Sequence, residues 1–220
     1  MLKIGLVSAG SYAPQYQNPD LPRTPGSFHG TAFACTFNGF DATKVAELYT
    51  ANKYTFAAAS KIIPDCKVVK VWDPLRETAE MLANVCDIPE VTDTPEECST
   101  GVDAVVIVDD GSALQYQYAE VPLKAGIPVF CDKPLAMTTK ECLEVQKWVH
   151  ETGTKFMCSS SLRFVPDIVQ TKQEVAEGKW GEVWVATSGC GNDLVYYGIH
   201  ALSMAYGVFG DRAVSVMNVG

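Results

Sequence analysis

The chain reads as an α/β fold: a doubly wound parallel sheet comes first, and a truncated α+β segment follows. Three observations predict this. Strand-like apolar runs alternate with helical stretches of about 10–15 residues, the rhythm of βαβ units. Acidic residues stand at the carboxyl ends of the runs, at Asp73, Asp109 and Asp132, where open parallel sheets bind ligands. From Lys155 the rhythm changes to a long strand, a short apolar helix and another strand. The expected division is therefore 1–154 and 155–220.

The first run, Leu2 to Val7, leads into Ser8-Ala9-Gly10. A dinucleotide-binding fold places its G-x-G-x-x-G turn here, and Ser8, Gly10 and Ala13 stand at those positions, so one glycine survives. From Ser11 to Gly26, Pro14, Pro19, Pro22 and Pro25 exclude a helix. A loop of this length at a binding edge either folds over a ligand or blocks the pocket. Ser27 reads as the N-cap of a helix that runs to Asn38 and stops at Gly39, and Asp41 as the cap of a second helix to about Ser60.

Cys66 to Asp73 is the next strand. Asp73 either accepts hydrogen bonds from an adenosine ribose diol, favouring NAD over NADP, or caps the helix from Pro74 to Cys86; nearby Arg76 suits a 2′-phosphate instead. Thr94 with Glu97 spells a capping box before a short helix. Asp103 to Val108 is a strand followed by Asp109-Asp110-Gly111, and Ser112 with Gln115 opens a helix that ends before Gly126. The strand after it delivers Asp132-Lys133-Pro134, an acid and a lysine placed to hold a substrate oxygen or carry a proton. Thr138 and Glu141 box the next helix, with Cys142, Val145, Trp148 and Val149 on one face and Gly153 as its stop.

Phe156 to Cys158 is one more strand, and Arg163-Phe164-Val165-Pro166 leads a helix to Glu177. A Gly178–Gly181 turn, a strand over Glu182–Thr187, an apolar helix over Ile199–Phe209 and a strand over Ala213–Val219 complete the pattern. An unpaired edge on that last strand favours self-association.

Composition narrows the functions. The 220 residues are 47% hydrophobic and 20% charged, with net charge −9. That balance suits a soluble protein with a sizeable core and argues against nucleic acid or an anionic membrane as partner. No segment approaches the ~18 apolar residues of a membrane span. The N-terminus enters a strand with no signal-peptide core, so the chain reads as cytoplasmic. Eight cysteines include no C-x-x-C pair and the histidines number three, so buried thiols are expected and no metal site. His29 and His150 read as structural; the Tyr196-Tyr197 run reads mainly as packing.

These residues together resemble the family of glucose–fructose oxidoreductase, inositol dehydrogenase and the rhizopine-catabolism protein (Gfo/Idh/MocA). Asp132-Lys133-Pro134 matches its E-K-P motif, and Arg163-Phe164-Val165-Pro166 its R-F-x-P step. Gly178-Lys179-Trp180-Gly181-Glu182-Val183 matches its G-x-I-G-E-V turn, and Gly198-Ile199-His200 the start of its catalytic helix. The resemblance implies a Rossmann-type domain that binds NAD or NADP and a C-terminal domain that holds a sugar or polyol. Ser8, Ala9, Gly10, Asp73, Arg76, Asp109, Asp110, Asp132, Lys133 and Arg163 are then expected around the cofactor. Lys133 would orient the substrate hydroxyl and help relay its proton, with His200 as general base or acid and Tyr196 and Tyr197 on the substrate. A homo-oligomer through the C-terminal sheet is expected.

The chain departs from the family at several points. The family's T-P-x-x-x-H segment reads Asp110 to Gln115. Its D-x-G-x-H-x-x-D pattern reads Tyr196 to Ser203, without either carboxylate. Two other readings stay open: a non-catalytic member acting as a binding or regulatory subunit, and an epimerase or glycoside-cleaving enzyme that holds NAD through a transient oxidation.

Overall fold

The structure, a computed structural model, describes residues 1–11, 20–25, 29–49, 56, 62–109, 114–191 and 194–218. The Ser27 cap, Asp110 and Ser112 lie outside these. The chain forms two compact units, Met1–Cys158 and Ser159–Gly220.

The first unit holds a six-stranded parallel sheet. Its strands in chain order are β1 (Leu2–Val7), β4 (Cys66–Trp72), β5 (Glu90–Val91), β6 (Ala104–Ile107), β7 (Val129–Cys131) and β8 (Phe156–Cys158). They lie in the order β5-β4-β1-β6-β7-β8, all parallel. The chain thus winds outward from β1 in one direction, returns and winds in the other, leaving a crevice where the direction reverses. A separate two-residue pairing joins β2 (Gly10–Ser11) antiparallel to β3 (Thr24–Pro25), so the proline-rich segment begins and ends at one neck.

Side-chain alternation along the strands builds two cores. Leu6, Val68, Val71 and Val106 pack toward Ala34, Cys35, Leu82 and Val85, which come from α1 (His29–Asn38) and α3 (Arg76–Cys86). Val7, Val105, Ile107 and Val129 pack toward Ala119, Leu123, Val145 and Trp148, from α4 (Gln115–Lys124) and α5 (Thr139–Thr152). Gly5 is required in β1, because a Cβ there would sit 1.9 Å from the Cys98 carbonyl oxygen.

The helix limits follow their caps. Asp41 accepts from the Thr43 and Lys44 amides and starts α2 (Ala42–Leu48). That helix ends at Leu48, short of the expected Ser60, with Tyr49 already extended; 50–55 and 57–61 lie outside the described residues. Thr138 and Glu141 form the reciprocal capping box of α5, which stops at left-handed Gly153. Arg76 is the first residue of α3, since Asp73 Oδ1 accepts from the Leu75 amide and turns the chain before it.

The second unit contains a 3₁₀ turn (Ser161–Phe164), α6 (Pro166–Ala176) and α7 (Gly198–Phe209). The two helices pack closely at Gly207, where a Cβ would meet Ile168 at 2.8 Å. The strands expected over Glu182–Thr187 and Ala213–Val219 do not form among the described residues. A strand exists through the ladder that satisfies its N–H and C=O groups, and among the described residues of this unit no partner strand is present. Apolar side chains are left in solvent instead, Val214 at 99% and Trp184 at 83% exposure. The sheet edge expected to mediate self-association is accordingly not formed there.

All eight cysteines are free thiols. Burial pushes the Cys98 thiol up to about 11 and that of Cys158 to about 12, and raises Cys131 well above its usual range. Among the described residues no helix is long and apolar enough to cross a membrane, and no cluster of His, Cys, Asp and Glu has the makings of a metal site.

Two outcomes test this packing. Gly5→Ala is expected to destabilise the first unit at or beyond the upper end of the ~1–3 kcal/mol typical of overpacking, read from the urea midpoint. At pH 8 an alkylating reagent should modify exposed Cys190 quickly and leave Cys98, Cys131 and Cys158 protonated and unmodified until denaturant is added, as read by peptide mass spectrometry.

Candidate active site

The ends of β1, β4, β6 and β7 share one edge of the sheet, and the buried charged residues described in the first unit (Arg23, Asp73, Asp109, Asp132 and Lys133) gather there. After β1 the chain turns at Ser8, whose φ of +82° is left-handed. This is the position of the first glycine in a dinucleotide turn. Serine holds the conformation through its own hydroxyl, which lies 3.0 Å from the Gly10 carbonyl and 3.1 Å from Asp73 Oδ2. Asp73, at the end of β4, also accepts from the amides of Ala9 and Gly10 at 2.9 and 3.0 Å. One carboxylate thus gathers the turn that follows β1.

Arg23 completes the cluster. Its guanidinium donates to Asp73 Oδ2 at 2.9 Å, to Asp109 Oδ1 at 3.0 Å and to the Gly10 carbonyl at 2.6 Å, with Ser8 Oγ as a further close partner. The arginine side chain is 3% exposed and both carboxylates are fully buried. A fork of donors is the geometry that can serve two carboxylates at once. Stripping a buried carboxylate of its cation typically costs about 3–5 kcal/mol, so this contact holds the end of the proline-rich segment, just before β3, against the sheet.

The fourth strand end, after β7, carries the Asp132-Lys133-Pro134 step. The Lys133-Pro134 peptide is cis, and Lys133 is buried to 2% exposure. Gln115, which stands where the family has a histidine, donates from Nε2 to the Pro134 carbonyl at 2.8 Å. His29, the first residue of α1, places Nδ1 2.5 Å from Asp132 Oδ2. An ionised carboxylate only accepts, so Nδ1 carries the hydrogen in this contact.

In the second unit His200 lies in the first turn of α7, with Nδ1 2.6 Å from Ser160 Oγ. Ser160 is itself fixed by accepting from the Leu162 amide at 3.1 Å. Tyr197 packs edge-on to the His200 ring and to buried Tyr196. Arg163 is exposed.

The structure therefore brings Ser8, Ala9, Gly10, Asp73 and Asp109 into one hydrogen-bonded cluster, with Asp132 and Lys133 on the same sheet edge. Arg76 is engaged elsewhere: its exposed guanidinium bonds Glu80 on α3 and Asp93 after β5. Lys133 belongs to the first unit and His200 to the second. Arg23, His29, Gln115 and Ser160 were not expected. Nor was Gly30, whose added Cβ would lie 2.7 Å from the Ser8 carbonyl oxygen. That close approach of α1 to the first turn is the role of the third fingerprint glycine. Its signal was a glycine one residue into a helix, displaced from Gly10 by the insertion.

Whether such a cradle suits a dinucleotide turns on these same contacts. The Gly30 approach, the acid after β4 and a guanidinium beside the first turn fit a cofactor with a ribose diol and an anionic diphosphate. Asp73 and the two turn amides are, however, bonded to each other and to Arg23, so those partners would have to exchange.

Comparison with known proteins agrees with the fold. Residues 26–160 match the family model for the GFO/IDH/MocA oxidoreductases with an NAD-binding Rossmann fold, a match that begins within the proline-rich segment. The chain is 28% identical over 174 residues to D-glucoside 3-dehydrogenase of Escherichia coli, covering 70% of this chain and 50% of that protein. It is 30% identical over 125 residues to scyllo-inositol 2-dehydrogenase (NAD(+)) of Bacillus subtilis, covering 54% and 35%. The apo scyllo-inositol dehydrogenase of Lactobacillus casei superposes with TM-score 0.68 at 18% identity, over 96% of this chain and 55% of that one. The chain spans about half the length or less of these relatives. With the family match covering more than half of its residues, the chain belongs to the Gfo/Idh/MocA family of oxidoreductases.

Proposed function

We propose that this protein is an NAD(P)-dependent oxidoreductase that moves a hydride between a nicotinamide cofactor and a sugar-like or polyol substrate, with NAD favoured. The observation that carries the reading is Lys133, a lysine buried to 2% exposure beside Asp132 at the carboxyl edge of the sheet. Burying an ammonium group is expensive unless it is paired, and such groups concentrate at sites of chemistry. The family assignment supplies the cofactor class, and the dehydrogenases of cyclitols and glucosides among its relatives supply the substrate class.

A bound nicotinamide would take or return the hydride of a carbinol carbon. Everything else falls to side chains. Lys133 orients the substrate hydroxyl and stabilises negative charge as its proton leaves. His200, fixed by Ser160, acts as acid or base; an imidazole suits this near neutral pH. Tyr196 and Tyr197 stand where the family pattern has its first carboxylate and the residue after it, and we assign them to the substrate. Ser8, Ala9, Gly10, Asp73, Asp109, Asp132 and Arg163 are assigned to the cofactor, with Arg23 as an added cation for the diphosphate. Asp110 and Arg76 complete the assignment, Arg76 only by leaving its surface pairs. Self-association belongs to the same proposal and rests on the exposed Trp184, Val185, Val214 and Met217.

One observation favours a second reading, a non-catalytic binding or regulatory member. Asp73 and the amides of Ala9 and Gly10 already satisfy one another, with Arg23 over them.

Calorimetric titration with NAD+ and NADP+, followed by absorbance at 340 nm with scyllo-inositol, myo-inositol and a methyl glucoside, separates the two. Binding of NAD+ with turnover is expected, and Lys133→Met should lower kcat by about 10²–10⁴-fold. Absence of both heat and turnover at millimolar NAD+ establishes the second reading. Light scattering at micromolar protein is expected to give a mass above that of one chain; a strictly monomeric mass removes the self-association.

A further inference from the structure

Asp73 Oδ2 accepts from four donors: Ser8 Oγ at 3.1 Å, the Ala9 and Gly10 amides at 2.9 and 3.0 Å, and Arg23 Nη2 at 2.9 Å. Oδ1 accepts from the Leu75 amide. A carboxylate has about four acceptor sites across its two oxygens, so a ribose hydroxyl gains this acid only if a donor leaves. Three of the donors to Oδ2 belong to the turn after β1 and cannot leave without undoing it. The fourth comes from Arg23, fifty residues before Asp73 in the chain. Its two arms are engaged separately: Nη1 donates to Asp109 Oδ1 at 3.0 Å, while Nη2 serves Asp73, the Gly10 carbonyl and Ser8. One arm can therefore turn while the other holds. Thr24 and Pro25 pair with Ser11 and Gly10, so the backbone after Arg23 stays beside the turn as the side chain moves.

We propose that Arg23 makes this site select dinucleotides over nucleosides: it covers Asp73 until a diphosphate draws Nη2 away, and Nη1 stays on Asp109. The inference rests on the cofactor reading above and names what opens the acid to the ribose. An adenosine moiety alone offers only neutral hydroxyls, which do not replace a charge-assisted bond between buried groups. A diphosphate offers the guanidinium an anionic partner that suits its fork of donors. No covalent bond changes; hydrogen-bond partners are exchanged.

The alternatives are that Arg23 only adds a cation for the diphosphate, or only braces the fold. Adenosine and ADP-ribose, titrated calorimetrically into the full chain, separate them. Arg23→Gln keeps an amide donor and removes the charge. It is expected to tighten adenosine about tenfold and weaken ADP-ribose about tenfold, each the scale of one hydrogen bond to a charged group. The preference for ADP-ribose should thus fall about 10²-fold. A preference that does not fall, or that falls with adenosine affinity unchanged, overturns the proposal. Should that variant not fold, the wild type decides. Its observed rate of NADH binding, followed by stopped-flow fluorescence, should level off as NADH is raised, because Nη2 must leave Asp73 before the complex closes. A strictly linear dependence overturns the proposal. A wild type that binds neither NADH nor ADP-ribose overturns the cofactor reading and this inference with it, a result distinct from a wild type that binds both while the variant gains nothing for adenosine.

Discussion

A single buried carboxylate, that of Asp73, organises the edge of the sheet at which the buried charges of the first unit gather. One of its oxygens accepts from two successive amides after β1 and from the Arg23 guanidinium, and the other from the amide of Leu75. It therefore shapes the first turn, begins α3 and anchors the insertion. The arrangement holds because charge and hydrogen-bond demand are met together: two carboxylates at the ends of β4 and β6 share one guanidinium. Low-dielectric surroundings strengthen such contacts and penalise any member left alone.

Much of the first unit was legible in the sequence because its signals are local. Strand and helix spacing, the Asp41 cap, the Thr138–Glu141 box and the Gly153 stop act within a few residues, and the structure places elements accordingly. The Asp132-Lys133-Pro134 step was legible for the same reason. The rest depended on contacts remote in the chain. The fingerprint looked degraded because its first position is filled by a serine that supports itself in a left-handed turn, and its third lies at Gly30. Nothing near Arg23 in sequence tells of Asp73 and Asp109, fifty and eighty-six residues away. His29 was set aside as an isolated histidine, and its partner Asp132 stands 103 residues away.

The second unit illustrates the opposite limit. Glu182–Thr187 and Ala213–Asn218 carry strand-like composition, yet β structure is a property of pairs of strands, and composition alone does not supply a neighbour. The helices of the same unit need no such neighbour. Their backbone bonds close internally, and the tight contact at Gly207 gives them a partner face. His200 is consequently well positioned by Ser160 even though the flanking segments remain exposed.

The short ladder between Gly10–Ser11 and Thr24–Pro25 sets the terms on which this family member can vary. Because both ends of the excursion are clasped at one point, its contour length is decoupled from the spacing of β1 and α1. Doubling such an excursion adds only about 0.6 kcal/mol of closure entropy. The two halves of the cofactor cradle can thus drift apart in sequence while staying adjacent in space, and any search that requires them to be contiguous will pass over relatives built this way.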